Sequence, residues 1–90
     1  AYIGPDASVD VAYITQGCVI EGEVKHSVIF TGAKVGKGAK IIDSVLMPGV
    51  VVEDGAVVTR ALVADNVKIS KDAVVGSADS KEILLQAKDI

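Results

Sequence analysis

The chain has 90 residues, half of them hydrophobic but only 3% aromatic, and a formal net charge of −3. One internal period over that length bounds a single domain, residues 1–90, and the acidic balance, with nine basic residues scattered without a run, argues against a nucleic-acid partner. Charges and turn residues interrupt every apolar run, which excludes a membrane-spanning helix and a signal peptide; the lone Cys18 excludes an internal disulfide and fits a reducing, cytoplasmic compartment.

Residues 1–23 read as irregular first coils. Ala1 and Tyr2 lead into Ile3-Gly4-Pro5-Asp6-Ala7-Ser8, already in phase with the later repeat. Neither an initiator Met nor an N-terminal cap is present, so a longer parent protein is expected. Val9–Glu23 makes one coil shorter than those that follow, because Ile20-Glu21-Gly22-Glu23 is a truncated block. Gly22 is expected to allow the tighter corner.

Residues 24–76 are regular. Val24–Lys40, Ile41–Val57 and Val58–Val74 are three copies of a 17-residue unit, each dividing into blocks of five, six and six. Eight six-residue blocks open on an aliphatic: Ile3, Ile14, Ile29, Val35, Leu46, Val52, Val63 and Ile69. Their fourth residues are Asp6, Gly17, Gly32, Gly38, Gly49, Gly55, Asn66 and Asp72, the types that best tolerate positive φ. Gly17, Gly32, Gly38, Gly49, Gly55, Asn66 and Asp72 are therefore the expected structural corners. The fifth residues, from Ala7 and Cys18 to Val67 and Ala73, are all small. The five-residue blocks, Val9–Tyr13, Val24–Val28, Ile41–Val45 and Val58–Leu62, lack the Gly/Asn/Asp residue, so one corner per coil is expected to turn differently.

Strand, corner and small inner residue, three times per turn, predict an all-β parallel solenoid of triangular section with about five coils. Spacing leaves the hand open, since most parallel crossovers are right-handed. Residues 77–90 form a terminal capping segment. Asp79-Ser80-Lys81-Glu82 resembles a capping box opening a short helix through Ala87; the competing reading, preferred here, makes Ile83-Leu84-Leu85 an extended last strand.

Few residues suggest chemistry. His26, the only histidine, shares a corner column with Val11, Asp43 and Arg60. Solenoid acyltransferases use one His as general base near a coil edge, so a fragment of such an enzyme is one alternative; a solvated corner residue is the plainer reading. Zinc in a solenoid carbonic anhydrase needs about three His ligands, so that reading fails. No carboxylate dyad, regular Thr ladder or phosphate-cradling Gly loop occurs, and Cys18 occupies a small packing slot. A purely structural interaction module is a further alternative.

The run Thr15–Phe30 is more specific. Gly17, Cys18, Ile20, Gly22, Val24, Ser27 and Val28 match a Gly-Cys-x-Ile-x-Gly-x-Val-x-x-Ser-Val pattern. The run resembles the start of the C-terminal β-helix domain of the bacterial glucose-1-phosphate adenylyltransferase (ADP-glucose pyrophosphorylase) family. Asp43-Ser44-Val45-Leu46-Met47-Pro48-Gly49 is similar to that family's next coil, and Tyr2-Ile3-Gly4-Pro5 to its opening. Gln16 departs, standing where an acidic residue is common. The resemblance spans Tyr2 to Gly76 and implies a left-handed β-helix. It implies a parent nucleotidyltransferase using ATP and Mg²⁺ to make ADP-glucose and pyrophosphate from glucose 1-phosphate, in glycogen biosynthesis. The family's N-terminal catalytic domain is absent here, so no catalytic, cofactor-binding or metal residue is carried over and the chain alone is expected to be non-catalytic. The implied partners are that catalytic domain and the other subunits of a homo- or hetero-oligomer, with a part in allosteric control.

Side chains alternate along a strand, so the residues flanking each inward aliphatic face outward. Around Ile14, Ile29, Leu46 and Val63 these are almost all apolar, and Tyr13, Val28, Phe30, Val45, Met47 and Leu62 form the candidate interface. Around Ile20, Val35, Val52 and Ile69 they are more polar; around Val24, Ile41 and Val58 they are mixed. The corner assignment carries a stability prediction. Gly49→Val is expected to destabilise the domain by more than about 1 kcal/mol, because a β-branched residue resists positive φ; an unchanged denaturant midpoint contradicts it.

Overall fold

The computed structural model describes residues 2–77 and 82–90. Coil one holds β1 (Tyr2–Ile3), β2 (Ser8–Asp10) and β3 (Tyr13–Ile14); coil two holds β4 (Val19–Ile20), β5 (Glu23–Lys25) and β6 (Val28–Ile29). Coil three holds β7 (Lys34–Val35), β8 (Lys40–Ile42) and β9 (Val45–Leu46); coil four holds β10 (Val51–Val52), β11 (Val57–Thr59) and β12 (Ala61–Val63). β13 (Lys68–Ile69), β14 (Val74–Gly76) and β15 (Leu84–Gln86) make a fifth, less regular level. Every third strand pairs in parallel, which gives three five-stranded sheets: β1-β4-β7-β10-β13, β2-β5-β8-β11-β14 and β3-β6-β9-β12-β15. About four full turns separate β1 from β13. The architecture is a β-solenoid consistent with a left-handed β-helix, and no helix occurs among the described residues.

The period sets the register. Val24, Ile41, Val58 and Val75 stack as direct partners up the second sheet. The short coil shows in the first sheet: Val19 reaches its partner Lys34 over a shorter stretch of chain than Val51 needs to reach Lys68. The tight corner at Gly22 does not use positive φ. A Cβ there would collide with the carbonyl oxygen of Ala39 and come within 2.6 Å of that of Gly36. Glycine is required for its missing side chain rather than its conformational freedom.

The inward aliphatics from Ile20 to Val75 form one continuous core, each at most 1% exposed. At about 1.5–3 kcal/mol per buried side chain they are its main source of cohesion. In the first coil Ile3 and Val9 face the same interior but stay 46% and 41% exposed, since no strand lies beyond β1 and β2.

Gly17, Gly32, Gly38, Gly49 and Gly55 turn their corners with φ of 72–77°, and Asn66 and Asp72 with 61°. An added Cβ on Gly49 would also strike the Asn66 side chain of the next coil. Asp6 differs: its φ is not positive, and the Ala7 N–H closes the turn on the Gly4 carbonyl at 3.1 Å. A type I turn, with Pro5 second and Asp6 third, needs no left-handed residue. The five-residue corners keep a left-handed residue without glycine: Val11, His26, Asp43 and Arg60 sit at φ 48–50°. The amide of each later corner donates to the coil before it, His26 to Asp10, Asp43 to Lys25 and Arg60 to Ile42, all at 3.0 Å.

Serine completes this corner. Ser27 Oγ donates to the Lys25 carbonyl at 2.7 Å and accepts the Ser44 N–H at 3.1 Å. Ser44 Oγ repeats the pair, donating to Ile42 O at 2.7 Å and accepting from Ala61 N–H at 3.1 Å.

At the far end the extended reading of residues 83–85 is the one that forms: β15 pairs with β12, Leu62 opposite Leu85. Asp79, Ser80 and Lys81 of the capping-box reading lie outside the described residues. Gly76 takes φ 77°, one residue earlier than the Val11–Arg60 column would place it, and there the repeat ends.

The serine ladder generates a prediction. Ser44→Ala strands the buried Ala61 N–H and is expected to cost about 1–3 kcal/mol. Equilibrium urea unfolding measures the loss; a shift no larger than that of an exposed Ser70→Ala control contradicts the ladder's role.

Candidate functional site

Inward positions are fully used by the core, so any site is built from outward side chains and corners. On the first sheet the outward side chains are mixed: Val19, Lys34, Val51 and Lys68 in one column, Glu21, Gly36 and Glu53 in the next. Lys68 and Glu53 approach to 3.8 Å, an exposed pair that adds little stability. On the second sheet Glu23, Lys25 and Lys40 are charged; Thr59, expected to face outward, is only 7% exposed, with Gly76 of β14 paired beside it.

The third sheet is different. Tyr13, Val28, Val45, Leu62 and Leu85 are successive partners across all five strands. Tyr13 is 68% exposed and Leu85 62%, while Val28, Val45 and Leu62 are half-buried by their neighbours. A second column runs beside it. Phe30 N–H donates to Leu46 O at 2.9 Å and Met47 N–H to Val63 O at 3.0 Å, which stacks Phe30 and Met47 one coil apart. Met47 and Ala64 also pack against the core from the edge of this face. All six residues of the sequence-derived interface therefore line one face, Tyr13, Val28, Val45 and Leu62 within its strands and Phe30 and Met47 just after β6 and β9. Leu85 is the member that sequence reasoning missed. The apolar run Ile83-Leu84-Leu85 suggests a strand but not its face, because β15 returns to its partner β12 later than the regular period would bring it.

The corners offer little chemistry. His26 is exposed beside Val11, Ala12, Tyr13, Ser27 and Val28 in a shallow hollow. The Ser27 hydroxyl, its nearest potential nucleophile in sequence, is tied into the corner ladder. Arg60 Nε is buried without a hydrogen-bond partner. Cys18 is 1% exposed, its thiol directed to the Phe30 carbonyl at 3.1 Å, which is a packing position. Among the described residues no group of three or more His, Cys, Asp and Glu is placed to hold a metal, and no helix is long and apolar enough to cross a membrane.

The sequence is similar to those of known proteins. The family model described as "GlmU-like, C-terminal hexapeptide" matches residues 4–85. A glucose-1-phosphate adenylyltransferase of Bacillus cytotoxicus is 39% identical over 90 residues, covering 99% of this chain and 24% of that protein. Proteins of the same name from Bacillus thuringiensis and Bacillus anthracis are 43% identical over 74 residues, covering 82% of this chain and 20% of theirs. The chain thus spans about a quarter or less of the length of these relatives. With the repeat, the three sheets and a match over nearly its whole length, the chain belongs to the GlmU-like C-terminal hexapeptide family.

Proposed function

We propose that this chain is the C-terminal scaffold and oligomerisation domain of a cytoplasmic glucose-1-phosphate adenylyltransferase. Its parent transfers an adenylyl group from ATP to glucose 1-phosphate with Mg²⁺, and the solenoid helps transmit allosteric control. Likeness to the curated relatives supports the parent's identity. The observation that carries the scaffold role is the apolar outer face of the third sheet, continuous over five strands. An exposed stripe of this kind marks an interaction surface more often than a free one. The solenoid contributes no catalytic group; it offers a rigid prism whose apolar face docks on the catalytic domain or on another subunit.

The regular coils do not favour an acyltransferase. From β4 to β14 they are joined by short corners with no projecting loop, and the hydroxyl beside His26, that of Ser27, is tied into the corner ladder.

The test is a Phe30→Glu, Met47→Glu double variant of the full-length polypeptide. Both side chains lie on the outer face, so the solenoid is expected to stay folded by circular dichroism while assembly falls at least several-fold by sedimentation. Normal assembly and a normal effector response would exclude this face as the docking surface.

A further inference from the structure

Coil two omits a corner. Between the first and second sheets the corner amide of each later coil donates to a carbonyl of the coil before, Gly55 N–H to Lys37 O at 3.0 Å and Asp72 N–H to Asp54 O at 3.1 Å. Coil two passes this point through Glu21 and Gly22 alone, with Gly22 drawn in and buried against the Gly36 and Ala39 carbonyls. Two groups of the corner ladder therefore lose their counterpart. Among the described residues nothing accepts the Gly38 N–H of coil three, and nothing donates to the Pro5 carbonyl of coil one. These two corners stand two rungs apart, about 10 Å. Between them lies a recess of about 200 Å³ lined by Tyr2, Gly4, Pro5, Asp6, Glu21 and Lys37. Gly4 sits between the Tyr2 ring and the Glu21 stem, which come within 3.6 and 3.5 Å of where its Cβ would stand. A Cβ on Gly38 would meet nothing within 4 Å, so that side of the recess is open.

The groups around the recess select the chemistry of an occupant. The Gly38 N–H and the Lys37 ammonium donate; the Pro5 carbonyl and the Asp6 and Glu21 carboxylates accept. Among the described residues neither carboxylate nor the ammonium is held in an ion pair. An anion would satisfy the two donors but face both carboxylates and leave the Pro5 carbonyl unanswered. A cation would satisfy the acceptors but face Lys37 and leave the Gly38 N–H unanswered. A hydroxyl both donates and accepts, so a neutral compound bearing several of them answers every group at once. The Tyr2 ring offers such a compound an apolar surface for its C–H edge. We propose that this recess is a binding site for a neutral cyclic polyol of monosaccharide size. Its volume is below the roughly 300–1,000 Å³ of pockets for drug-sized ligands, which limits the occupant to one small molecule. The site lies at the corner between the first and second sheets and is independent of the third-sheet face.

The experiment follows rapid-quench hydrogen exchange of the Gly38 amide in the full-length polypeptide, with the Gly55 amide as internal reference. The probes are D-glucose and myo-inositol as neutral polyols, inorganic phosphate as anion and calcium chloride as cation. At saturation the polyols are expected to slow Gly38 exchange at least three-fold and to leave Gly55 unchanged, while phosphate and calcium do neither. An Asp6→Ala, Glu21→Ala double variant is expected to lose this protection; Asp65→Ala, an exposed residue at another corner, is expected to keep it. A second variant replaces Gly22 by the three residues Lys-Gly-Ala and so restores the missing corner. Its Gly38 amide is expected to be slow without any probe and indifferent to the polyols. If phosphate or calcium protects Gly38 and the polyols do not, the recess selects charge and the proposal is wrong. If no probe protects it, the recess holds only water and the proposal is equally wrong. Protection that persists in the Asp6→Ala, Glu21→Ala variant, or that extends to Gly55, is a general solvent effect and also overturns it.

Discussion

A prism three short strands wide has room at each inner corner for one small side chain, and every coil passes that corner directly above the last. Ala33, Ala39, Ala56 and Ala61 are wholly buried there, and Ser27 and Ser44 nearly so. The rest of the structure follows from this restriction. A larger residue would push two coils apart and break ladder bonds on both adjoining sheets. A corner that failed to reverse tightly would carry the next aliphatic out of the core.

Much of this was legible because the period repeats the same demand. An aliphatic, a residue tolerant of left-handed φ and a small residue recur at fixed spacing, and the register follows. Gly22 was legible as a special position but not for its cause, since nothing in a truncated block reveals two carbonyls pressing against its Cα hydrogen. The left-handed φ at Val11 and Arg60 was not legible in their side chains, while His26 and Asp43 are of types enriched there and gave a weak hint. At the later three corners the amide of one coil meets the carbonyl of the coil before and favours it. Such tertiary override is expected where local preference is worth about 1 kcal/mol and a stacked hydrogen bond competes with it.

For the candidate site, strand alternation placed the six expected residues along one face, because inward and outward positions are fixed once the core is known. Leu85 escaped because its strand joins outside the period, where only pairing with β12 assigns it a face. The division of labour is plain. Inward residues are held by the architecture and tolerate little change, while outward residues are free to carry a partner's complement. Fold and candidate interface are therefore written in alternate positions of the same strands.

The separation between paired strands has a kinetic meaning. Each new rung closes a loop only one coil long, as from Val19 to Lys34 or Val51 to Lys68, so no pairing waits on a distant part of the chain. The entropic toll of adding a coil is nearly the same wherever it is added, and growth can start at any coil and spread in both directions. The rung between Ala61 and Leu84 closes a somewhat longer loop, which raises the closure cost by only about 0.3 kcal/mol. The final strand can thus form about as readily as any regular coil, and the prism assembles by zippering along its axis without a slow long-range step.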